Sequence, residues 1–276
     1  MPNRPHTRPA YQTALITGAS AGLGAEFARQ LAAKGVHLVL SARRVERLEA
    51  LGEELSERYG VAITVLGCDL AQPDAVDDLV AQLDAQALHI DWLVNNAGYG
   101  LTGNFESRSW DEHADFLRVL LEAPLKLTHR LLPAMRERGF GRIVNVSSLA
   151  GLVPATAGHT LYGAVKSALV RFSQALGQEC APAGIHVSAL CPGFTLTEFH
   201  DVNGTRSKVS KMPKFMWMDA PTVVRQGIAA VEHGDLVRTN GLWNAAVHRL
   251  TRLLPESWSL KLVAGRAKDF RSSEKL

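Results

Sequence analysis

Short apolar runs rich in β-branched residues alternate with longer stretches of helical period along most of this chain, and no other feature restricts its fold as strongly. The runs cover residues 13–17, 36–41, 62–67, 91–96, 142–147 and 186–191, and a short one surrounds Leu236 and Val237. Helical patterns fall between them at about 23–34, 44–59, 73–86, 110–137, 162–181 and 221–233. Gln72-Pro73-Asp74 reads as a helix start, and Gly35 and Gly139 read as stops. This order predicts βαβ units and a parallel sheet. The runs are apolar almost throughout, not on alternate residues, so both sheet faces should be covered by helices.

Length and charge narrow the reading. A chain of 276 residues with 46% hydrophobic side chains fits one large domain better than two, since single domains commonly reach ~250 residues. We expect a loose tail over 1–10, one catalytic domain over 11–240 and a helical extension of it over 241–276. The net charge of +3 is small and its cations are scattered, which gives no reason to expect a nucleic acid partner. Cys68, Cys180 and Cys191 are far apart and form no C-x-x-C pair. That excludes a zinc-ligand pattern, predicts no disulfide framework and suits a reducing cytoplasm. The opening "MPNRPHTRPA" is polar and proline-rich, unlike a signal peptide, and no apolar run approaches the ~20 residues of a membrane span.

The first strand runs into "TGASAGLGAEFARQL", which places Gly18, Gly22 and Gly24 at a strand-to-helix turn. Glycines there let backbone N–H groups of Ser20, Leu23 and their neighbours approach a pyrophosphate, and the helix N-terminus adds partial positive charge. Such a cluster alone is equally a structural turn; its position after the first strand favours the dinucleotide reading. The second strand ends in Ala42, Arg43 and Arg44 and has no carboxylate. A carboxylate at this point would select the ribose 2′-hydroxyl of NAD and an arginine accommodates a 2′-phosphate, so the expected cofactor is NADP(H), held mainly by Arg43 with Arg44 assisting.

Tyr162 and Lys166 stand one helical turn apart on one face of a helix. Reduction of a ketone needs a proton as well as a hydride, and a phenol within hydrogen-bond reach can donate it. A nearby ammonium favours the phenolate in the reverse direction. An isolated pair of this kind is ordinarily a snorkelling lysine on an amphipathic helix, but the upstream loop and serines change that balance. Ser148 stands at a strand end, where its hydroxyl can polarise a carbonyl; Ser147 is the alternative, because neighbouring strand residues face opposite ways.

Taken together, these residues resemble the short-chain dehydrogenase/reductase family over roughly 13–240. The resemblance rests on Thr17-Gly18-x-x-x-Gly22-x-Gly24, Asp69-Leu70, Asn95-Asn96-Ala97-Gly98, Ser147-Ser148, Tyr162-x-x-x-Lys166, and Pro192-Gly193 followed by Thr195 and Thr197. It implies an α/β, doubly wound Rossmann-type fold with a seven-stranded parallel sheet, a bound nicotinamide cofactor and a homodimer or homotetramer. It also implies that Asp69 holds the adenine, that Asn95 braces the sheet, and that Thr195 or Thr197 meets the nicotinamide or pyrophosphate. It favours Ser148 over Ser147 and adds a ribose contact for Lys166. One departure stands out: many members carry an asparagine that anchors a relay water in the helix before the fifth strand, and that position falls here on Leu120.

Substrate contacts are expected from Tyr99, from residues 149–159 and from a mobile excursion at about 194–219 that contains Phe194, Met212, Phe215, Met216, Trp217 and Met218. Methionines beside aromatics suit a medium or large apolar ketone, or its secondary alcohol, beneath a lid. Lys208, Lys211 and Lys214 add the option of a 3-oxoacyl thioester with a phosphate. In the extension, Trp243, Ala246, Val247, Leu250, Leu253 and Leu254 form an apolar stripe opposite His248, Arg249 and Arg252. We expect that stripe to pack within an oligomer, with a membrane surface as the less favoured alternative. The rival class is an NADPH-binding sensor or scaffold with little turnover, for which Leu120 is the main support.

Overall fold

The structure, a computed structural model, describes residues 12–155, 157–158, 160–198, 213–255 and 257–261. The expected N-terminal tail and Met212, Lys208 and Lys211 lie outside these residues. Strands β1 (Thr13–Thr17), β2 (His37–Ala42), β3 (Ile63–Gly67), β4 (Trp92–Asn95), β5 (Gly141–Val146), β6 (Ile185–Cys191) and β9 (Val237–Thr239) form one seven-stranded sheet in the order β3-β2-β1-β4-β5-β6-β9. Every pairing in it is parallel. Each strand sends alternate side chains to opposite faces. Ala14, Ile16, Leu38, Leu40, Trp92 and Val94 meet α1 (Gly22–Ala32), α2 (Val45–Tyr59) and α7 (Ala220–His233). Leu15, Val39, Leu93 and Ile143 meet α3 (Ala75–Ala85), α5 (Ala123–Arg138) and α6 (Thr160–Cys180). This is the doubly wound architecture expected. Its strand order reverses between β1 and β4, and ligands of such sheets bind outside the carboxyl ends of the strands at that reversal.

Two local features differ from the sequence reading. The single helix expected over 110–137 is α4 (Trp110–Leu117) and α5 joined by a π-helical turn, Arg118–Glu122, in which Ala123 N–H donates to the carbonyl of Arg118. Pro124 explains the break: it has no N–H to give to the carbonyl of Leu120 four residues back. The excursion after β6 begins and ends in a small ribbon, where β7 (Phe194–Leu196) pairs in parallel with β8 (Trp217–Asp219). Asp219 then caps α7 by accepting from Thr222 N–H at 2.6 Å.

The extension helix α8 (Leu242–Leu253) seats a polar face on the body. Its buried positions are Asn244 and Thr251, while Leu242 is 92% and Leu253 84% exposed. The reason lies in what the polar face reaches. Asn244 Nδ2 donates to Asn240 O at 2.8 Å, Ser259 Oγ donates to Thr251 O at 2.9 Å, and an Nδ1 contact of 3.3 Å joins His248 to Leu152 O. Buried polar groups on the body are satisfied by this face, and the apolar stripe is left outward.

Candidate active site

The turn after β1 is built so that no side chain enters it. Gly18 and Gly22 have positive φ, and a Cβ on Gly24 would lie 2.3 Å from Gly18 O. Asn96 fixes the turn from the next strand end: its Nδ2 donates to Thr17 O at 3.0 Å and to Gly18 O at 3.1 Å. Thr17 Oγ1 in turn accepts from the N–H groups of Asn96 and Ala97, each at 3.1 Å. Helix α1 starts at Ala21 with no side-chain cap and no acidic residue in its first turn. Its first N–H groups and its partial positive charge therefore face the crevice, a cradle that fits a pyrophosphate.

The remaining nucleotide-side residues lie around the crevice, with Asn95 as the exception. Arg43 is exposed at the end of β2. Arg44 donates from Nε and Nη2 to Ser20 Oγ, at 3.2 and 3.1 Å. Asp69 follows β3 and accepts from Ala71 N–H at 3.1 Å in a tight turn, next to buried Leu70. Asn95 is buried, and its Nδ2 donates to Asn145 Oδ1 at 2.8 Å and to Thr128 Oγ1 at 3.3 Å. It therefore ties β4 to β5 and α5, lying inside the sheet and not in the crevice. Gly98 covers Leu120, whose Cγ would sit 3.5 Å from a Cβ there. Across the crevice, Pro192 O accepts from Leu149 N–H at 2.8 Å, and Thr195 is buried with Oγ1 donating to Gly193 O at 3.2 Å. Thr197 closes on the glycine turn, 3.3 Å from where a Gly22 Cβ would stand.

The phenol, ammonium and serine converge at the end of β5. Tyr162 is half-buried and its hydroxyl is hydrogen-bonded to Ser148. Burial pushes this phenol up to about 12, and the bond to Ser148 opposes the rise. Lys166 is buried, donates from Nζ to Val146 O at 2.8 Å and lies 5.7 Å from the Tyr162 ring centre. Burial draws its ammonium down to about 8. The serine alternative resolves by packing: Ser147 Oγ donates to Lys166 O at 2.7 Å inside the body, so only Ser148 faces the phenol. A Cβ on Gly151 would lie 2.6 Å from the Lys166 carbonyl, which is how the 149–151 turn passes tightly over α6.

Three contributors escaped the sequence reading. Asn96 was visible in the strand-end motif, although its service to the glycine turn was not. Asn244 packs 2.4 Å from where a Gly193 Cβ would be, a contact without local signal. A shallow cleft lined by Leu101, Phe105, His113, Thr160 and Leu161 reaches the residue before Tyr162, and Phe105 stacks on His113 at 4.6 Å. Among the described residues no group of His, Cys, Asp and Glu side chains could hold a metal ion, and no helix is long and apolar enough to cross a membrane. The cysteines are free, with Cys180 and Cys191 buried.

A parallel doubly wound sheet with a glycine cradle at its switch point and a phenol above a buried ammonium defines a dinucleotide-dependent oxidoreductase. The profile of the short chain dehydrogenase family matches residues 12–207, and the chain belongs to that family. Among its relatives, the very-long-chain 3-oxoacyl-CoA reductase of Anas platyrhynchos is 33% identical over 264 residues, covering 94% of this chain and 81% of the relative. A short-chain dehydrogenase from Sphingobium yanoikuyae, solved with NADPH, is 31% identical with a TM-score of 0.78, covering 96% of this chain and 98% of that one. The bulky-bulky ketone specific alcohol dehydrogenase of Comamonas testosteroni is 29% identical with a TM-score of 0.73, covering 96% and 97%. The chain is thus an oxidoreductase that works with a pyridine nucleotide.

Proposed function

We propose that this protein is an NADP(H)-dependent reductase of apolar ketones, able to oxidise the matching secondary alcohols, with its catalytic groups on a single domain. The observation that carries the reading is the Ser148–Tyr162 hydrogen bond one helical turn from a buried Lys166. When bound, the nicotinamide supplies or accepts the hydride. Ser148 holds and polarises the substrate oxygen, and the Tyr162 hydroxyl delivers its proton to that oxygen as the alcohol forms. A phenol pushed up to about 12 is fully protonated at neutral pH, the state that ketone reduction requires. Lys166 provides the local cation that eases phenolate formation in the oxidative direction and a donor for the nicotinamide ribose.

Gly18, Ser20, Gly22, Leu23 and Gly24 cradle the pyrophosphate in this reading. Arg43 and Arg44 take the 2′-phosphate, Asp69 and Leu70 take the adenine, and Ala97, Gly98, Pro192, Gly193, Thr195 and Thr197 flank the nicotinamide end. Asn95 acts at one remove by bracing β4. Tyr99, Leu152, Phe194, Met216, Trp217 and Met218 supply apolar walls on the substrate side, with 194–198 and 213–219 as the described parts of the lid. The substrates named for the duck reductase and the Comamonas dehydrogenase, a very-long-chain 3-oxoacyl-CoA and bulky ketones, support a large apolar substrate class. The outward stripe of α8 supports a homodimer or homotetramer.

The test is a fluorescence titration of purified protein with NADPH and NADH, followed by absorbance assays with apolar ketones and 3-oxoacyl thioesters. Tight NADPH binding and turnover of one ketone class, lost in Tyr162→Phe, is the expected result. Tight binding without turnover in either direction would favour a sensor instead, a reading supported by the buried, apolar Leu120. In that case Leu120→Asn should be assayed next, since a large gain in rate would trace the defect to the relay.

A further inference from the structure

The arginines at the start of α2 are already engaged by an anion of the protein itself. Arg47 Nη1 donates to both carboxylate oxygens of Glu198 at 3.0 Å, and Arg44 Nη1 donates to Glu198 Oε2 at 3.3 Å. Glu198 lies 154 residues from Arg44 in sequence. It follows β7, directly after Thr197, the residue that closes on the glycine turn. The bridge therefore spans the crevice from the substrate-side segment to the β2–α2 corner, and Arg44 joins it to Ser20 on the glycine turn. Burial, the largest single influence, pushes the Glu198 carboxyl up, but the bonds and charges of Arg47 and Arg44 together outweigh it and hold the group below the ordinary carboxylate value, so it is charged at neutral pH. Arg43 is exposed and its charge reaches Tyr99, not Glu198.

We propose that Glu198 is a built-in competitor for the cofactor's 2′-phosphate, occupying Arg44 and Arg47 when the phosphate is absent and thereby setting how strongly the site prefers a phosphorylated dinucleotide. The inference rests on the NADP(H) reading above. A phosphate and a carboxylate seek the same planar guanidinium donors. With Glu198 in place, one negative charge is shared between two of the three arginines at this corner, leaving Arg43 as the first contact for an arriving phosphate. Loading NADP(H) then exchanges one anion for another at Arg44, and Glu198 stays on Arg47 alone. An unphosphorylated dinucleotide leaves the bridge intact.

The experiment compares wild type with Glu198→Gln by calorimetric titration against NADPH, NADH, adenosine 2′,5′-bisphosphate and adenosine 5′-monophosphate. Because half-exposed ion pairs are weak, removing the competitor should tighten NADPH and the bisphosphate by roughly three- to fivefold, with NADH and the monophosphate unchanged. An unchanged NADPH affinity would overturn the proposal. So would a weakened one, which would make Glu198 a strap over bound cofactor instead of a competitor. Failure of the underlying reading has a separate signature, since wild type would then bind NADH as tightly as NADPH and the monophosphate as tightly as the bisphosphate.

Discussion

The two sides of the crevice are built on opposite terms. On the side of β1, β4 and β5, backbone and polar side chains lock one another: Asn96 on Gly18 in a half-buried setting, Asn95 on Asn145 and Ser147 on Lys166 in a buried one. On the side of β7, β8 and α8, the chain exposes Leu196, Phe215, Leu242 and Leu253, and it is attached by a three-residue ribbon and by polar contacts from α8. The first side leaves little room for substitution because each group is held by several others. The second presents apolar surface that only a substrate, a partner or a lid can cover. On the proposed function, the chemistry common to all substrates belongs on the first and the choice among them on the second.

The sharpest way to break this contrast is to remove the proposed acid. Tyr162→Phe should lower kcat/KM for ketone reduction by about 10²–10⁴-fold while NADPH affinity, read by fluorescence, stays within about twofold. Equal losses of binding and turnover would show that the phenol is structural. Next in size, Gly24→Ala drives a Cβ to within 2.3 Å of Gly18 O. It should destabilise the fold by about 1–3 kcal/mol in denaturant melts, and cofactor binding should fall with it, because the turn itself must shift.

A smaller and more selective effect is expected at the nucleotide corner. Arg43→Ala should weaken NADPH by roughly tenfold, the scale of one lost charge-assisted bond, and leave NADH unaltered; equal weakening of both would place Arg43 away from the 2′-phosphate. Lys166 makes the rigid side pH-sensitive. Its ammonium is drawn from the usual 10.5 down to about 8. Between those values the unfolded chain holds a proton that the folded chain lacks, so this group makes stability rise with pH across that window. Lys166→Met should abolish the rise in melts between pH 8 and 10. Smallest of all, Leu253→Lys on the exposed stripe should change monomer stability by less than about 0.5 kcal/mol. In size-exclusion chromatography the same variant should shift any oligomer toward smaller species.

How much of this was legible depended on how local each cause is. The glycine turn follows from residues within one strand-turn-helix unit, and the parallel sheet follows from runs that are apolar on both faces. The family resemblance favours Ser148 over Ser147, but the local pattern alone does not separate them, because adjacent residues at a strand end differ only in which neighbour they meet. The packing of Lys166 O against Ser147 Oγ made that choice. The seat of α8 was not legible for a related reason: periodicity locates an apolar face without saying whether the body offers the helix an apolar or a polar seat. Here Asn244 and Thr251 take the seat.

By itself, the sequence determined the class of fold, the phosphate cradle and the spacing of Tyr162 from Lys166, because each depends on backbone periodicity or on residues within a turn or two of one another. Only the tertiary structure decided which serine faces the phenol, that Asn96 holds the glycine turn, and that Glu198 spans the crevice to Arg44 and Arg47. Those contacts join residues up to 154 positions apart. Their geometry exists only once strands β1 to β6 have been laid side by side, which brings distant loops to the same edge of the sheet.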